Sequence, residues 1–257
     1  MKLLGKAGLC ALSALLITLF LIQDANAQLS RGRSAFGSSA SLGGTISMGI
    51  GISTVSASQD DLNSTIDTSN SDHTANTKNL GSAWEIVANW IYRYERSNYA
   101  LIIRPSYFTQ STTGSGSDGD HDYKLTGYTV FPIFRLYALE NSFIHFFMQT
   151  GVGYGSLSGE ITSGANSLEF KGGAFGAMGG IGVDFCFTDS HCMTVEGNLR
   201  YLPIERNVTT GGNCASGSNP ISGISQCGGG SEVESNNTDL KTTMSGVQGS
   251  IGYTYNF

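Results

Sequence analysis

Residues 84–107 read WEIVANWIYRYERSNYALIIRPSY, two alternating segments joined by a very short break. In both segments every second residue is apolar or aromatic: Trp84, Ile86, Ala88, Trp90, Tyr92, Tyr94, then Tyr99, Leu101, Ile103, Pro105 and Tyr107. The positions between them are mostly polar, as at Glu85, Asn89, Arg93, Glu95, Arg104 and Ser106. A period of two residues is typical of strands with one apolar face. The stretch therefore predicts a β-hairpin that turns at Ser97-Asn98.

Eight segments of this kind follow one another, and the first is Thr45–Val55. The breaks between them are alternately long (59–80, 111–120, 159–168, 210–237) and short (97–98, 140–142, 189–191). A β-sandwich in water would also alternate, but short turns at every second connection are typical of a transmembrane barrel. We therefore predict an all-β fold: an eight-stranded antiparallel up-and-down transmembrane β-barrel, with four long loops on the cell surface.

The N-terminus has the pattern of a secretory signal peptide. Lys2 and Lys6 precede an apolar stretch that ends at Ala25-Asn26-Ala27, a small-residue cleavage site. The apolar stretch is shorter than the roughly 20 residues that a spanning helix needs. We expect residues 1–27 to be removed, 28–42 to form a periplasmic segment and 43–257 to form the barrel.

Composition limits the class of protein further. Glycine is abundant (35 residues), charged residues are few (13%), and there are 4 prolines, which fits short strands with polar loops. Without residues 1–27 the chain keeps 12 basic and 19 acidic side chains, a net charge of −7. No basic patch indicates nucleic-acid binding. Beyond Ala27 no apolar run reaches 18 residues, so no spanning helix is expected.

Aromatic residues cluster at the short turns, as expected for a ring at the periplasmic membrane interface. The chain also ends in Ile251-Gly252-Tyr253-Thr254-Tyr255-Asn256-Phe257. Its last aromatics, Tyr253, Tyr255 and Phe257, resemble the signal by which the barrel assembly machinery recognises outer-membrane proteins. With the strand count, the chain resembles the small eight-stranded barrels of the OmpW, OmpX and OmpA-barrel kind. OmpW-like is preferred because no periplasmic domain follows the barrel.

Four cysteines remain after cleavage and form two local pairs, Cys186 with Cys192 and Cys214 with Cys227. In an oxidising compartment both pairs are expected to form disulfides. Their spacing is not that of a zinc site.

A cluster of charged residues occupies the alternate strand positions that are predicted to face the lumen. Its members are Glu85, Arg93, Glu95, Arg104, Arg135, His145, Asp184, Glu196 and Arg200. These side chains either fill a narrow barrel as a polar core or form a constriction for small solutes. Glycines of the same parity lie on the fifth, sixth and eighth segments, opposite the charged second, third and seventh segments. They are Gly151, Gly153, Gly155, Gly176, Gly180, Gly182, Gly246 and Gly252. They either leave a cavity opposite the charges or relieve crowding in a small barrel.

Three prolines, Pro105, Pro132 and Pro203, lie on the lipid-facing parity within strands. Proline cannot donate to a strand ladder, so each predicts a bulge or a break in pairing. The OmpW-like resemblance implies a side exit for apolar molecules at such a break. A simple effect on register is the alternative.

Enzymatic activity is not expected, because no serine and histidine have the placement of an outer-membrane acylhydrolase. Asp118, Asp120, His121 and Asp122 could ligate Ca²⁺, but a hydrated acidic loop explains them better. We expect neither a metal nor a cofactor.

Two functions remain. The first is a narrow channel or carrier for small or hydrophobic solutes; the alternative is a structural or surface-interaction protein with a closed, side-chain-filled lumen. Expected partners are outer-membrane lipids, lipopolysaccharide and the barrel assembly machinery. Small outward residues, Ala177, Gly179, Gly197 and Gly249, would permit a homo-oligomer.

Overall fold

The computed structural model describes residues 44–94, 97–216 and 221–257. Eight long strands form the barrel: β1 (Gly44–Val55), β2 (Ala83–Tyr94), β3 (Tyr99–Gly116), β4 (Gly119–Glu140), β5 (Ile144–Ser163), β6 (Asn166–Cys186), β7 (His191–Tyr201) and β14 (Gly246–Asn256). Each pairs antiparallel with its neighbour, and β14 pairs with β1 to close the ring. The predicted fold class is confirmed. The expected signal peptide, residues 28–42 and Glu95 lie outside the described residues.

The remaining elements lie in the connections above the barrel. They are a helix, α1 (Asp60–His73), a 3-10 turn (Asn213–Ser216) and six short strands: β8 (Pro203–Ile204), β9 (Asn207–Gly211), β10 (Ile224–Gln226), β11 (Glu234–Ser235), β12 (Thr238–Asp239) and β13 (Thr242–Thr243). Within the described part of the chain, no helix has the length and apolar character needed to cross a membrane.

Apolar side chains cover the outside of the barrel, and some are more than half exposed, such as Val152 (66%) and Leu199 (68%). Aromatic rings border this belt at both ends. The lower ring was expected at Tyr92, Tyr94, Tyr99, Tyr137, Phe143, Phe185 and Tyr255. The structure confirms it except at Tyr137, which is buried inside the barrel, and adds Phe187, Tyr253 and Phe257. The upper ring consists of Trp84, Tyr107, Tyr128, Tyr154, Phe175 and Tyr201. From Tyr99 to Tyr107 a strand tilted by about 40° rises roughly 20 Å, close to the height of a lipid-facing band.

Two of the expected loops are strands instead. The β3–β4 hairpin continues to a turn at Ser117-Asp118, and the β5–β6 hairpin continues to a turn at Gly164-Ala165. The expected breaks at 111–120 and 159–168 are therefore wrong. Above the membrane the outer face of a strand meets water, so it no longer needs apolar residues, and the alternation that marks a strand disappears.

The first expected loop contains α1. Its buried side chains are Leu62, Thr65, Ile66 and Ser69, and only two of these are apolar. The helix begins with Asp60 and Asp61, whose charges favour a helix N-terminus. It ends at His73 because Thr74 takes a left-handed conformation with φ 51°. A helix with so few apolar residues has little periodic signal, which is why the sequence indicated a loop.

The last long connection folds back onto the extended hairpins. Strand β9 pairs with β6, as at Phe170 opposite Thr209, beyond the point where β7 ends. The edge of β6 is thereby covered. We call residues 56–82, 108–127, 155–174, 202–216 and 221–245 the cap, because they lie beyond the upper aromatic ring.

Two of the prolines interrupt the pairing between neighbouring strands but leave the strand register unchanged. The β2–β3 pairing lacks rungs beside Pro105, and the β4–β5 pairing lacks rungs beside Pro132, yet the register is the same on both sides. Pro203 lies where the chain leaves β7 and pairs with Thr243 instead. The β4–β5 ladder shifts register elsewhere, between Tyr137 and Leu139. Of the two predicted outcomes, the prolines produce breaks rather than bulges.

Candidate functional site

The middle of the lumen is crossed by hydrogen-bonded charges centred on Glu196 of β7. Arg104 on β3 reaches both carboxylate oxygens, with Nη1 2.7 Å from Oε1 and Nη2 3.0 Å from Oε2. Arg135 on β4 approaches Oε2 to 3.5 Å, and Gln149 on β5 donates to the same atom at 2.9 Å. These four buried side chains come from four strands. They form a bridge across the barrel that leaves Glu196 fully paired.

A second centre, Glu85 on β2, lies nearer the cap. Its carboxylate accepts from Arg200 Nη1 at 2.7 Å, and both side chains are almost completely buried. Ser53, Ser106 and Gln248 also donate to it. Arg200 Nε donates to the carbonyl oxygen of Met244 at 2.6 Å, so this centre connects the lumen to the last loop. We call the two centres together the lumen network.

A third group lies at the periplasmic end. Arg93 Nη2 is 2.6 Å from Glu140 Oε2, and its guanidinium carbon lies 4.5 Å from the centre of the Tyr137 ring. His145 Nε2 is 3.7 Å from Glu140. Asp184 accepts from Thr194 Oγ1 at 2.6 Å and lies 3.6 Å from Arg135. Glu140 was absent from the predicted cluster.

The structure places the described members of the predicted cluster inside the barrel. Seven are buried, namely Glu85, Arg104, Arg135, His145, Asp184, Glu196 and Arg200, and Arg93 is partly buried. Both cysteine pairs are joined by disulfide bonds. Cys186 and Cys192 are directly opposite each other on β6 and β7 and face the lumen, whereas the bond between Cys214 and Cys227 is buried in the cap.

Several glycines of the lumen wall lie against large side chains from elsewhere in the chain. A Cβ atom at Gly153 would lie 2.6 Å from the ring of Phe131, and one at Gly155 would lie 2.8 Å from Leu202. The ring of Phe147 occupies the space beside Gly182 and also stacks 3.6 Å from the Arg135 guanidinium. Of the two explanations weighed for the lumen glycines, relief of crowding agrees with the structure at Gly153, Gly155 and Gly182.

Little open space remains beside the network. A cavity against the wall of β1 and β14, lined by Asn89, Thr194, Glu196 and Ser250 among others, has a volume of about 10 Å³. Such a volume holds about one water molecule. In this conformation the described lumen is filled by side chains.

The cap adds an apolar layer above the network. Leu62 and Ile66 of α1 belong to one buried cluster with inward side chains of the extended strands and the last loop, including Tyr123, Leu157, Phe170, Leu202 and Met244. Gln59, next to the helix, donates to Gln110 at 3.0 Å and to the carbonyl oxygen of Thr243 at 2.7 Å. The helix is therefore fastened inside the upper end of the barrel.

Two histidines hold α1 against the tip of the β3–β4 hairpin. Asp118 lies 2.8 Å from Nε2 of His121 and 3.3 Å from Nδ1 of His73, the last residue of the helix. Nδ1 of His121 is 3.1 Å from Ser69 Oγ. Burial opposes ionisation of Asp118, but the hydrogen bond from His121 and the nearby imidazoles outweigh it and hold its pKa below the ordinary value.

The acidic residues considered for Ca²⁺ are used differently. Asp118 contacts the histidines, Asp120 accepts from Ser115 Oγ at 3.1 Å, and Asp122 is exposed on the outer wall. Among the described residues, no group of three or more His, Cys, Asp or Glu side chains is arranged to hold a metal ion.

No protein-family profile matches the chain, and no curated protein matches it significantly. Among solved structures it is similar to the outer membrane protein OprG from Pseudomonas aeruginosa, with a TM-score of 0.53 and 13% identity over 83% of this chain and 96% of that chain. It also matches Ail of Yersinia pestis (TM-score 0.42, 12% identity, 84% and 100% covered) and Neisserial surface protein A (0.36, 12%, 84% and 97%). These two likenesses are too loose to support an argument.

The chain is an eight-stranded outer-membrane β-barrel. The fold shared with OprG and the apolar belt between two aromatic rings agree on this point. The predicted location in the bacterial outer membrane is confirmed, and the preference for an OmpW-like protein stays a prediction.

Two further predictions concern the outer wall of this outer-membrane barrel. Tyr253 and Tyr255 lie on the lipid-facing side of β14 near the periplasmic end, followed by the exposed Phe257. Ala177, Gly179, Gly197 and Gly249 also face outward, on β6, β7 and β14. Recognition by the assembly machinery and formation of a homo-oligomer both stay predictions.

Proposed function

We propose that this outer-membrane barrel is a closed, non-catalytic surface protein whose cap binds positively charged partners. The proposal rests on a difference in net charge: the charges in the lumen balance one another, whereas the cap is strongly negative. In the lumen, Glu85, Glu140, Asp184 and Glu196 balance Arg93, Arg104, Arg135 and Arg200. The cap has 13 acidic and 5 basic side chains.

The acidic residues of the cap are Asp60, Asp61, Asp67, Asp72, Asp118, Asp120, Asp122, Glu160, Glu169, Glu205, Glu232, Glu234 and Asp239, and the basic ones are Lys78, Lys124, Lys171, Arg206 and Lys241. An excess of eight negative charges on one end of a protein attracts cations and basic proteins and speeds their association. It also repels the phosphate groups of free polyanions.

The cap has the rigidity that a binding surface requires. Its hairpins are paired to their tips, its last loop contains a disulfide, and α1 is packed into its core. A surface that is ordered before binding loses less conformational entropy when a partner docks. Conduction would instead require both the lumen network and the cap core to move.

Binding of charged polymers tests the proposal. Full-length protein in nanodiscs of zwitterionic lipid is exposed to poly-lysine and to poly-glutamate of equal length. We expect poly-lysine alone to bind, and more weakly at high salt, because exposed charges are then screened. Neutralising Asp67, Asp72 and Asp122 together to asparagine should weaken binding severalfold, since all three are exposed.

The matched control is Lys124→Gln, on the same outer wall as Asp122. It removes a positive charge and should leave poly-lysine binding unchanged or slightly stronger. Equal binding of both polymers, or no effect of the triple substitution, would show that the acidic cap does not determine what the protein contacts.

A further inference from the structure

Three segments of the cap share one pattern of five residues: an acidic residue, any residue, asparagine, a residue other than proline, and threonine. They are Asp61–Thr65 (DLNST), Glu205–Thr209 (ERNVT) and Glu234–Thr238 (ESNNT). The last three positions form the acceptor sequence for N-glycosylation in exported proteins. The acidic residue two positions before the asparagine is the additional feature of acceptor sequences in bacteria.

In two of the three segments the asparagine side chain is part of the fold. Asn63 accepts from the backbone N–H of Leu80 at 2.7 Å and donates to its carbonyl oxygen at 3.4 Å. Asn207 is 1% exposed, and its Nδ2 donates to the carbonyl oxygen of Leu240 at 2.8 Å. A glycan on either nitrogen would require the cap to open.

The third asparagine lies at the tip of a hairpin. Asn236 and Asn237 connect β11 to β12, with φ values of 50° and 62°, and both are exposed. Backbone groups hold the turn in place: Asn236 N–H donates to Gly223 at 3.3 Å, and Asn237 N–H donates to Ser225 Oγ at 2.9 Å. Asparagine suits these left-handed positions. The hydroxyl of Thr238 closes the turn by donating to the carbonyl oxygen of Ser235 at 2.9 Å. The turn therefore accounts for Asn236, Asn237 and Thr238, and it leaves only Glu234 unexplained.

We propose that Asn236 is an N-glycosylation site, modified before the barrel is inserted, whose glycan the folded cap can accommodate. The donor is an oligosaccharide attached to a lipid through a diphosphate. The Asn236 amide nitrogen attacks C1 of the first sugar and loses one proton, the C1–oxygen bond to the diphosphate breaks, and the lipid diphosphate leaves. One N-glycosidic bond replaces one sugar–phosphate bond, with no oxidation or reduction. The glycan then projects from an exposed turn on the cell surface.

The test uses the full-length protein in bacterial cells that contain an oligosaccharyltransferase with its lipid-linked oligosaccharide. The same cells without the transferase provide the reference. Intact-mass measurement of the purified barrel should show the added mass of one glycan only when the transferase is present, and fragmentation of the peptide should locate it on Asn236. Asn236→Asp keeps a residue that tolerates the left-handed turn and should abolish the added mass. Thr238→Val and Glu234→Gln should each reduce glycan occupancy at least severalfold.

Asn237→Gln is the matched control, because Asn237 is equally exposed but has Asp239 two positions later instead of threonine or serine. It should retain the glycan. Heat-dependent gel mobility of each variant verifies that the barrel is folded. The proposal is overturned if the wild-type protein gains no mass while a reference acceptor in the same cells is modified. It is equally overturned if Asn236→Asp keeps the glycan, or if the glycan lies on Asn63 or Asn207.

Discussion

At the scale of single residues, the stability of the barrel interior depends on buried ion pairs in the lumen. Glu85 and Arg200 are 2.7 Å apart and almost fully buried. Charges removed from water to this extent are tolerated only when each has a partner, because an unpaired buried charge loses its solvation without compensation. Glu85 also accepts hydrogen bonds from Ser53, Ser106 and Gln248, which satisfies its remaining lone pairs.

Glu85→Gln should therefore lower the free energy of unfolding by about 3–5 kcal/mol, because it preserves the shape of the side chain and leaves the Arg200 charge unpaired. Urea unfolding of the barrel in lipid vesicles, followed by tryptophan fluorescence, measures the change. The control is Glu160→Gln on the exposed outer wall, which should shift the value by less than about 0.5 kcal/mol. Equal effects of the two substitutions would show that the lumen pair contributes no net stability.

Counting alternate residues along each strand predicted most of the side chains that face the lumen. Glu140 was missed for a physical reason. Inward side chains of β4 have odd numbers as far as Tyr137. The ladder then shifts register between Tyr137 and Leu139, which turns the even-numbered Glu140 toward Arg93 and leaves Leu139 exposed. A single extra residue reverses the inward and outward positions beyond it. Counting along the sequence could not detect this shift, since nothing in the composition marks it.

Among the elements, α1 owes its position to tertiary contacts rather than to its own helical preference. Only Leu62 and Ile66 supply apolar contact, and both are essentially inaccessible to solvent. The opposite side of the helix is polar and exposed, with Asp60, Ser64 and Asp67. Short polar helices are marginal in water, so this one depends on the cap that it closes.

Ile66→Ala should loosen the helix without unfolding the barrel. Removing a buried isoleucine side chain costs about 2–5 kcal/mol, and here the cost falls on local opening of the cap. Hydrogen exchange of the amides in residues 62–73 should accelerate roughly 30-fold or more, while the strands β1 and β14 keep their protection. Asp67→Ala, on the exposed side of the same helix, should leave exchange almost unchanged. Faster exchange in the barrel strands as well would mean that helix and barrel unfold as one unit.

At the level of the whole molecule, the sequence predicted the membrane-embedded barrel well and the cap poorly. Alternation arises because lipid contacts one face of each strand, so it marks Trp84–Tyr94 and Tyr99–Tyr107 clearly. The cap meets water outside and its own core inside. Its strands at 108–116 and 157–163 therefore carry serine, threonine and glycine at many positions, as polar loops also do. Glu95 and residues 1–43, with the predicted signal peptide, lie outside the described residues.

Two layers of side chains lie in series within the described lumen, and they predict a particular pattern of conductance. An eight-stranded barrel has an interior that side chains can fill completely. The network around Glu196 fills the middle, and the core around Leu62 and Ile66 fills the upper end. An ion must pass both layers, so opening one alone leaves the path blocked.

We therefore expect no current steps in planar bilayers from the wild-type barrel, from the triple variant Arg104→Ala, Arg135→Ala, Glu196→Ala, or from a variant with residues 58–82 replaced by a short glycine-serine turn. Steps should be most frequent when both changes are combined, because only then are the bridge around Glu196 and the helical part of the cap core both removed. Heat-dependent gel mobility identifies the folded variants. Current from the wild type would identify the protein as a channel. Current from the triple variant with an intact cap would show that the cap core does not block ions and that the lumen network is the single barrier.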